Sequence, residues 1–188
     1  MLNVAIITGS TRPGRKSEAV ARWVHGIAAR RDGASFELVD IADFDLPLLD
    51  EPVPPMMHQY SKPHTVSWAA KIAAFDAFVF VTPEYNHGTS GALKNAIDFL
   101  FQEWNDKAAG FVGYGSAGGV RAVESLRLVM GRAQGCRRSR PGRPFALHRL
   151  RERHDIQARR PPGGGRQHHA RRPHPVGRGV QDHAHAEA

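Results

Sequence analysis

The sequence predicts an α/β fold, a parallel sheet with helices packed on both faces. Three observations carry this. Apolar runs without polar alternation recur along the chain, at residues 2–8, 75–82 and 108–114, as expected of strands buried on both faces. Two of them, at 75–82 and 108–114, lead directly into short loops rich in Gly, Pro and hydroxyl residues, and the first leads into a loop of the same kind. Beyond each loop, apolar residues fall at helical spacing. Strand, loop and helix repeated in this order make a parallel sheet.

The elements follow in order. Residues 2–8 form the first strand. Val20, Trp23, Val24 and Ile27 then share one helical face. Residues 35–41 form a second strand. Pro47 to Pro63 is a long Pro-rich connection, too long for a tight turn. In it Met56, Met57 and Tyr60 read as local packing. Residues 75–82 form the third strand, which Pro83 stops because it cannot donate to the ladder. Leu93, Ala96, Ile97, Leu100, Phe101 and Trp104 make a helical stripe that reads as core. Residues 108–114 form the fourth strand, and Val120, Val123, Leu126 and Met130 line the helix after it.

The loop after the first strand, Thr8-Gly9-Ser10-Thr11-Arg12-Pro13-Gly14-Arg15-Lys16-Ser17, has the composition of an anion site. In an open α/β sheet, free N–H groups and the positive end of the helix dipole meet an anion there. Arg12 adds a forked charge-assisted contact, and Ser10, Thr11 and Ser17 add hydroxyls. A dinucleotide fingerprint fails at Gly9-Ser10-Thr11. A P-loop fails because Arg15 precedes Lys16-Ser17; one extra residue turns Lys16 about 100° around the helix start. A hydroxyl-rich loop holding one terminal phosphate, as for FMN, fits best. The competing reading is an ordinary polar turn. At the same sheet edge, Pro83-Glu84-Tyr85-Asn86-His87-Gly88 offers a flat Tyr85 face, backbone N–H groups and the Asn86 amide. Gly115-Ser116-Ala117-Gly118-Gly119 follows the fourth strand, and paired glycines admit close backbone approach to a flat ligand.

These motifs, in this order, resemble the NADPH-dependent FMN reductase family over residues 1–130. The family includes quinone, azo-dye and chromate reductases. The matching pieces are GSTRPGRKS, then PEYNHG with GALKNAIDFL behind it, then GYGSAGGVRA. The resemblance implies a flavodoxin-like three-layer fold with strand order 2-1-3-4-5. It implies that Ser10, Arg12 and Ser17 hold the FMN phosphate, that Pro83, Glu84, Tyr85 and Asn86 border the isoalloxazine ring, and that Ser116, Gly118 and Gly119 close over it. The implied activity passes a hydride from NADPH or NADH to bound FMN and on to a small acceptor: a quinone, an azo compound, a free flavin or a metal oxyanion. The resemblance also implies a homodimer or homotetramer, and it offers Met56, Met57 and Tyr60 an active-site rim or a subunit contact as alternatives to local packing. It assigns no catalytic side chain and no metal. Glu84 reads as a loop residue, because hydride transfer to a flavin needs no base, and His87 reads as structural.

Composition breaks near residue 131. The formal net charge of +8 suggests nucleic acid or acidic membrane at first sight. Yet residues 1–131 carry 12 Lys+Arg against 14 Asp+Glu, while residues 132–188 carry 14 Arg against 4 Asp+Glu. All lysines, tryptophans and tyrosines precede the break, and seven of the 11 His follow it. The sequence therefore divides into a flavodoxin-like domain, 1–131, and an Arg/Gly/Pro/His-rich tail, 132–188, too poor in apolar residues to offset its conformational entropy. Disorder is the expectation there, with the fifth strand missing, the edge at 108–114 unpaired and solubility lowered.

Three accounts of the tail compete. One is a nucleic-acid arm on a flavodoxin-like redox module. Another is a His-rich metal tract built on His168-His169 and His183-x-His185, which lacks a fixed geometry. The third, preferred, is translation out of frame, with an inactive product as the alternative to the reductase reading. His154 to Arg160 can be encoded so that reading one base later gives Thr-Thr-Phe-Lys-Pro-Ala. That string resembles the C-terminal part of the family, as does the stretch from 132 to about 170 under similar codon choices. Cys136 is the only cysteine, so no intramolecular disulfide forms. Met1 leads straight into a strand and no apolar run approaches a membrane span, so the expectation is a cytoplasmic protein without a membrane or nucleic-acid partner.

Overall fold

The computed structural model describes residues 1–133. Expectations about the tail beyond Ala133 lie outside the described residues. Four parallel strands, β1 (Leu2–Thr8), β2 (Ala34–Asp40), β3 (Ala77–Pro83) and β4 (Ala108–Tyr114), stand in the order β2-β1-β3-β4. The helices are α1 (Ser17–Ala28), α2 (Pro63–Ala73), α3 (Gly91–Asp98) and α4 (Val120–Ala133). The architecture is the α/β one expected, with the first four strands in the expected order. β2 begins one residue earlier than the sequence suggests. Gly33, at φ 90°, turns the chain into it. The Asp40 carboxylate then accepts from the Ala42 N–H and opens a 3-10 turn at Ile41–Phe44. β3 starts late because Asp76 is spent on Asn3, through Asp76 N–H to Asn3 O (2.8 Å) and Asn3 N–H to Asp76 Oδ2 (2.8 Å).

The two faces of the sheet are covered unequally. On one, α2, α3 and α4 bury an aromatic core of Trp68, Trp104, Phe78, Phe80 and Phe99 together with Ile7, Ile72, Leu93, Ile97, Leu126 and Met130. The other face holds α1 over Ile6 and Val81, with Val20, Val24, Val79, Val112 and Tyr114 only partly buried. Two residues of the expected helical stripes face solvent: Trp23 is 47 % exposed and Val120 61 %. Buried Ala21 and Ala122 do the packing there, since a small residue lets each helix approach the sheet. The stripe from Leu93 to Trp104 is core except for Phe101, which is only partly buried where the chain leaves α3 at Asp98 and enters a 3-10 turn at Gln102–Trp104. Helix α2 was not singled out in the sequence, although Thr65, Trp68, Ala69 and Ile72 have helical spacing behind Pro63 at its first turn.

Two carboxylates hold the Pro-rich connection. Glu51 accepts from Ser61 N–H, Lys62 N–H and the Ser61 hydroxyl. Buried Glu103 accepts from the Tyr60 hydroxyl (2.8 Å) and pairs with His58 Nε2 (3.0 Å). Tyr60 therefore packs, while Met56 and Met57 stay about half exposed. Burial works against the Glu51 charge, but the N–H donors of Lys62 and Ser61 outweigh it and bring the carboxyl from 4.5 down to about 2. A depressed carboxyl stabilises the fold above its unfolded pKa and stops doing so as pH falls through the folded value. The stability difference between the parent and Glu51→Gln is therefore expected to be constant above pH 4.5 and to vanish on acidification towards about 2. Urea midpoints across that range check it, and a pH-independent difference would refute the assignment.

Candidate functional site

The loops after β1, β3 and β4 lie at the carboxyl edge of the sheet, where an α/β fold presents ligand sites. The first is fixed at its root. Gly9 N–H donates to Val81 O (2.8 Å), and the Ser90 hydroxyl, capping α3, donates to Gly9 O (2.5 Å). A Cβ on Gly9 would lie 2.6 Å from Val81 O, so only glycine lets the loop cross β3 this closely. Ser10 is buried, and its Oγ shares a hydrogen bond with the Tyr85 hydroxyl (3.1 Å). Arg12 Nε donates to the same hydroxyl (3.2 Å). The Ser10 hydrogen bond, helped by the Arg12 charge, lowers the Tyr85 pKa against the pull of burial. Ser10, Arg12 and Tyr85, from loops 75 residues apart in sequence, thus form one cluster.

Behind it stands Ser17, the first residue of α1 and fully buried. Its Oγ lies beside the buried Tyr114 hydroxyl, and neither has a well-formed hydrogen bond to any group among the described residues. Burial raises the Tyr114 pKa, against the weak contact with Ser17. Two buried hydroxyls with only a weak contact between them, beside a helix N-terminus, gain from any polar group that meets them. Arg15, the residue that breaks the P-loop spacing, is a strut: it reaches Glu18 Oε1 (2.7 Å) and Asp40 Oδ2 (2.6 Å) and ties the loop to the end of β2. Burial raises the Asp40 pKa, against the Arg15 charge.

In the second loop Pro83 is buried at the end of β3, paired with Tyr114. Tyr85 and Gly88 exchange backbone hydrogen bonds of 3.0 and 3.1 Å, and Asn86 (φ 45°) and His87 (φ 72°) are both left-handed. This is the backbone of a type I′ turn, which Asn tolerates well. It leaves Tyr85 and Asn86 exposed at the tip. Glu84 is engaged elsewhere. Its carboxylate accepts from Arg121 Nη1 (2.7 Å) and Arg121 N–H (3.1 Å) at the start of α4. Burial opposes its charge, but these donors win and lower its pKa. Glu84 thus bridges to the third loop, where Gly115, Gly118 and Gly119 take positive φ. Ser116 and Gly118 are exposed and Gly119 is buried. A recess of about 410 Å³ adjoins the first loop through Thr11 and continues between Ala42, Leu46 and Asn95. No group of metal-ligating side chains occurs among the described residues. Sequence reasoning missed Tyr114 and Arg121; the position of Arg121 in the first turn of α4, near a carboxylate-bearing loop, was the available signal.

The sequence profile of the NADPH-dependent FMN reductase family matches residues 2–141. An NAD(P)H-dependent FMN reductase of Nectria sp is 44% identical over 140 residues, covering 69% of this chain and 70% of that protein. A quinone reductase of Escherichia coli is 35% identical over 137 residues, covering 69% of each. Among solved structures, the FerB flavoenzyme NAD(P)H:(acceptor) oxidoreductase of Paracoccus denitrificans superposes with a TM-score of 0.59 at 25% identity, over 71% of this chain and 72% of that one. The fold is therefore flavodoxin-like, and FMN and NAD(P)H are the cofactors its relatives' names carry. With a profile match over most of its length and relatives above the one-third identity level, the chain belongs to the NADPH-dependent FMN reductase family.

Proposed function

We propose that this chain is an FMN-dependent NAD(P)H oxidoreductase acting on a small diffusible acceptor, a quinone or a chemically similar electron sink. The observation that carries it is the pair of buried hydroxyls without a well-formed hydrogen bond, Ser17 Oγ and Tyr114 Oη, beside the Ser10–Arg12–Tyr85 cluster at the start of α1. A phosphate oxygen supplies a full acceptor in place of their weak mutual contact, and the α1 N-terminus and Arg12 supply compensating positive charge. The residues thus fit FMN. When bound, the flavin carries the redox chemistry.

The protein's part is to hold and orient. Ser10, Arg12 and Ser17 anchor the phosphate. Tyr85 and Asn86, held at the tip of their turn, flank the ring, and Pro83 and Glu84 shape the wall beneath it. Ser116, Gly118 and Gly119 let the third loop approach the ring without side-chain obstruction. The exposed outer side of this edge leaves room for nicotinamide and acceptor in turn.

An absorption spectrum after incubation with FMN and desalting tests the reading. Retained flavin absorbance that bleaches with NADPH under anaerobic conditions supports it; a folded protein that retains none refutes it. Removing one charged hydrogen-bond donor to a phosphate costs about 1.5–3 kcal/mol. Arg12→Ala is therefore expected to raise the FMN dissociation constant about tenfold to hundredfold, with the melting temperature without flavin little changed. Flavin fluorescence quenching measures this.

A further inference from the structure

We infer that the open edge and half-covered face of this sheet are the seat of a fifth strand and a last helix, and that the nucleotides encoding residues 132–188 spell both when read one base later. The structural side is asymmetric cover. Among the described residues β4 pairs only with β3, and five of its seven residues are only partly buried, whereas five of seven in β1 are fully buried. On the α1 face, Val79, Val112 and Tyr114 remain partly buried, with no second described helix above them. Such an edge pairs with whatever strand is offered. About three tenths of each quoted curated relative has no counterpart in its match to this chain.

The sequence side is a constraint of the genetic code. Between residues 132 and 188 only Cys136, Ser139, Phe145 and Ile156 belong to types whose codons must begin with A or T. Lys, Asn, Thr, Met, Trp and Tyr are absent there, although all occur before residue 132. A basic arm gains nothing from excluding lysine and threonine together. A strong preference for G or C at every third nucleotide is, however, what the third codon positions of a GC-rich gene look like when read as first positions.

Reading one base later takes the first and third base of each new codon from the middle base of one present codon and the first base of the next, which Arg, Leu and Ser alone leave partly open, and leaves the middle one free. Every Arg codon has G in the middle, so each of the 14 Arg becomes Val, Ala, Asp, Glu or Gly, and its own positive charge is lost whatever the codons. His becomes Ile, Met or Thr wherever the next codon begins with C or G. Among the many readings these limits allow, residues 132–146 admit ELKVADVRAQVALSL, residues 147–160 admit FTDFENVTTFKPAA, and residues 161–185 admit RQEAVVNTMLDDLIPWGEAFKTMRT, and the gene's nucleotides decide among them. The run VALSLF is a buried-strand pattern. The last string places apolar residues at i, i+1, i+4, i+5, i+8 and i+9, the stripe of a helix with one buried face. One strand and one amphipathic helix are what the edge of β4 and the face over Val79 and Val112 require.

Two measurements test this. The gene's nucleotides across codons 120–188 are expected to show third-position G+C falling sharply after codon 131 in the present frame and continuing at its earlier level one base later. An undiminished third-position preference in the present frame overturns the inference. Second, the full chain is compared with the product of the same gene lacking one base at codon 132. The restored product is expected to melt about 10 °C higher or more, the shift expected when several kcal/mol are added to a domain of this size. An equal or lower melting temperature overturns the assignment of the segment to this face. Neither readout requires flavin, so failure here is separable from failure of the proposed function.

Discussion

Gly119→Ala is expected to destabilise the protein by about 2–4 kcal/mol and to abolish FMN retention, because it combines backbone strain with a collision. Gly119 sits at φ +72°, and a Cβ there would lie 2.4 Å from Tyr114 N and 2.6 Å from Gly113 C. Both atoms are main chain at the end of β4, so nothing can rotate away. The loop must move, taking with it the start of α4 and the Arg121 contacts to Glu84. Gly118 is the control: its φ is nearly the same, +73°, with nothing within 4 Å. Gly118→Ala should cost only the left-handed strain, about 1 kcal/mol. Thermal melts of the two variants without flavin separate collision from strain. Equal destabilisation would sink this account of the loop.

Trp104→Ala is expected to cost about 3–5 kcal/mol, the range for emptying a buried indole site. The ring is fully buried, with centroids 4.9 Å from Phe78, 5.9 Å from Phe80 and 6.3 Å from Trp68. Its Nε1 donates to Ile97 O (3.1 Å), tying the end of α3 to the core. Trp104→Phe keeps much of the volume and loses the hydrogen bond, so about 1–2 kcal/mol is expected of it. Urea denaturation measures both. A loss below 1 kcal/mol for the alanine variant would mean that α2 and α3 close over the gap.

Most of this molecule was legible because its strands are buried on both faces. Runs such as Val4 to Ile7 and Phe78 to Val81 then read as apolar blocks whatever their neighbours do. The loops were legible because Gly, Pro and hydroxyl residues there have few structural alternatives. What escaped depends on contacts distant in sequence. Helix α2 lies behind a Pro-rich stretch whose order comes from Glu51 and Glu103, neither of which marks itself as an anchor. The exposed face of Trp23 contradicts its residue type. In the site, the engagement of Glu84 with Arg121 and the meeting of Tyr114 with Ser17 depend on where β3 and β4 end.

The two carboxylate anchors of the Pro-rich connection have a consequence for how the molecule breathes. The segment from Pro47 to Ser61 carries little regular structure, so its hold on the body comes from a few polar bonds rather than from a sheet ladder. Such a segment opens as its own cooperative unit, at a free energy well below that of global unfolding. Detaching Tyr60 from Glu103 would open the core edge on which Tyr60 packs while the four strands stay closed. Native-state amide exchange would therefore resolve two tiers. Ser61 and Lys62 would exchange through the small opening, and the amides of β1 and β3 only through the large one.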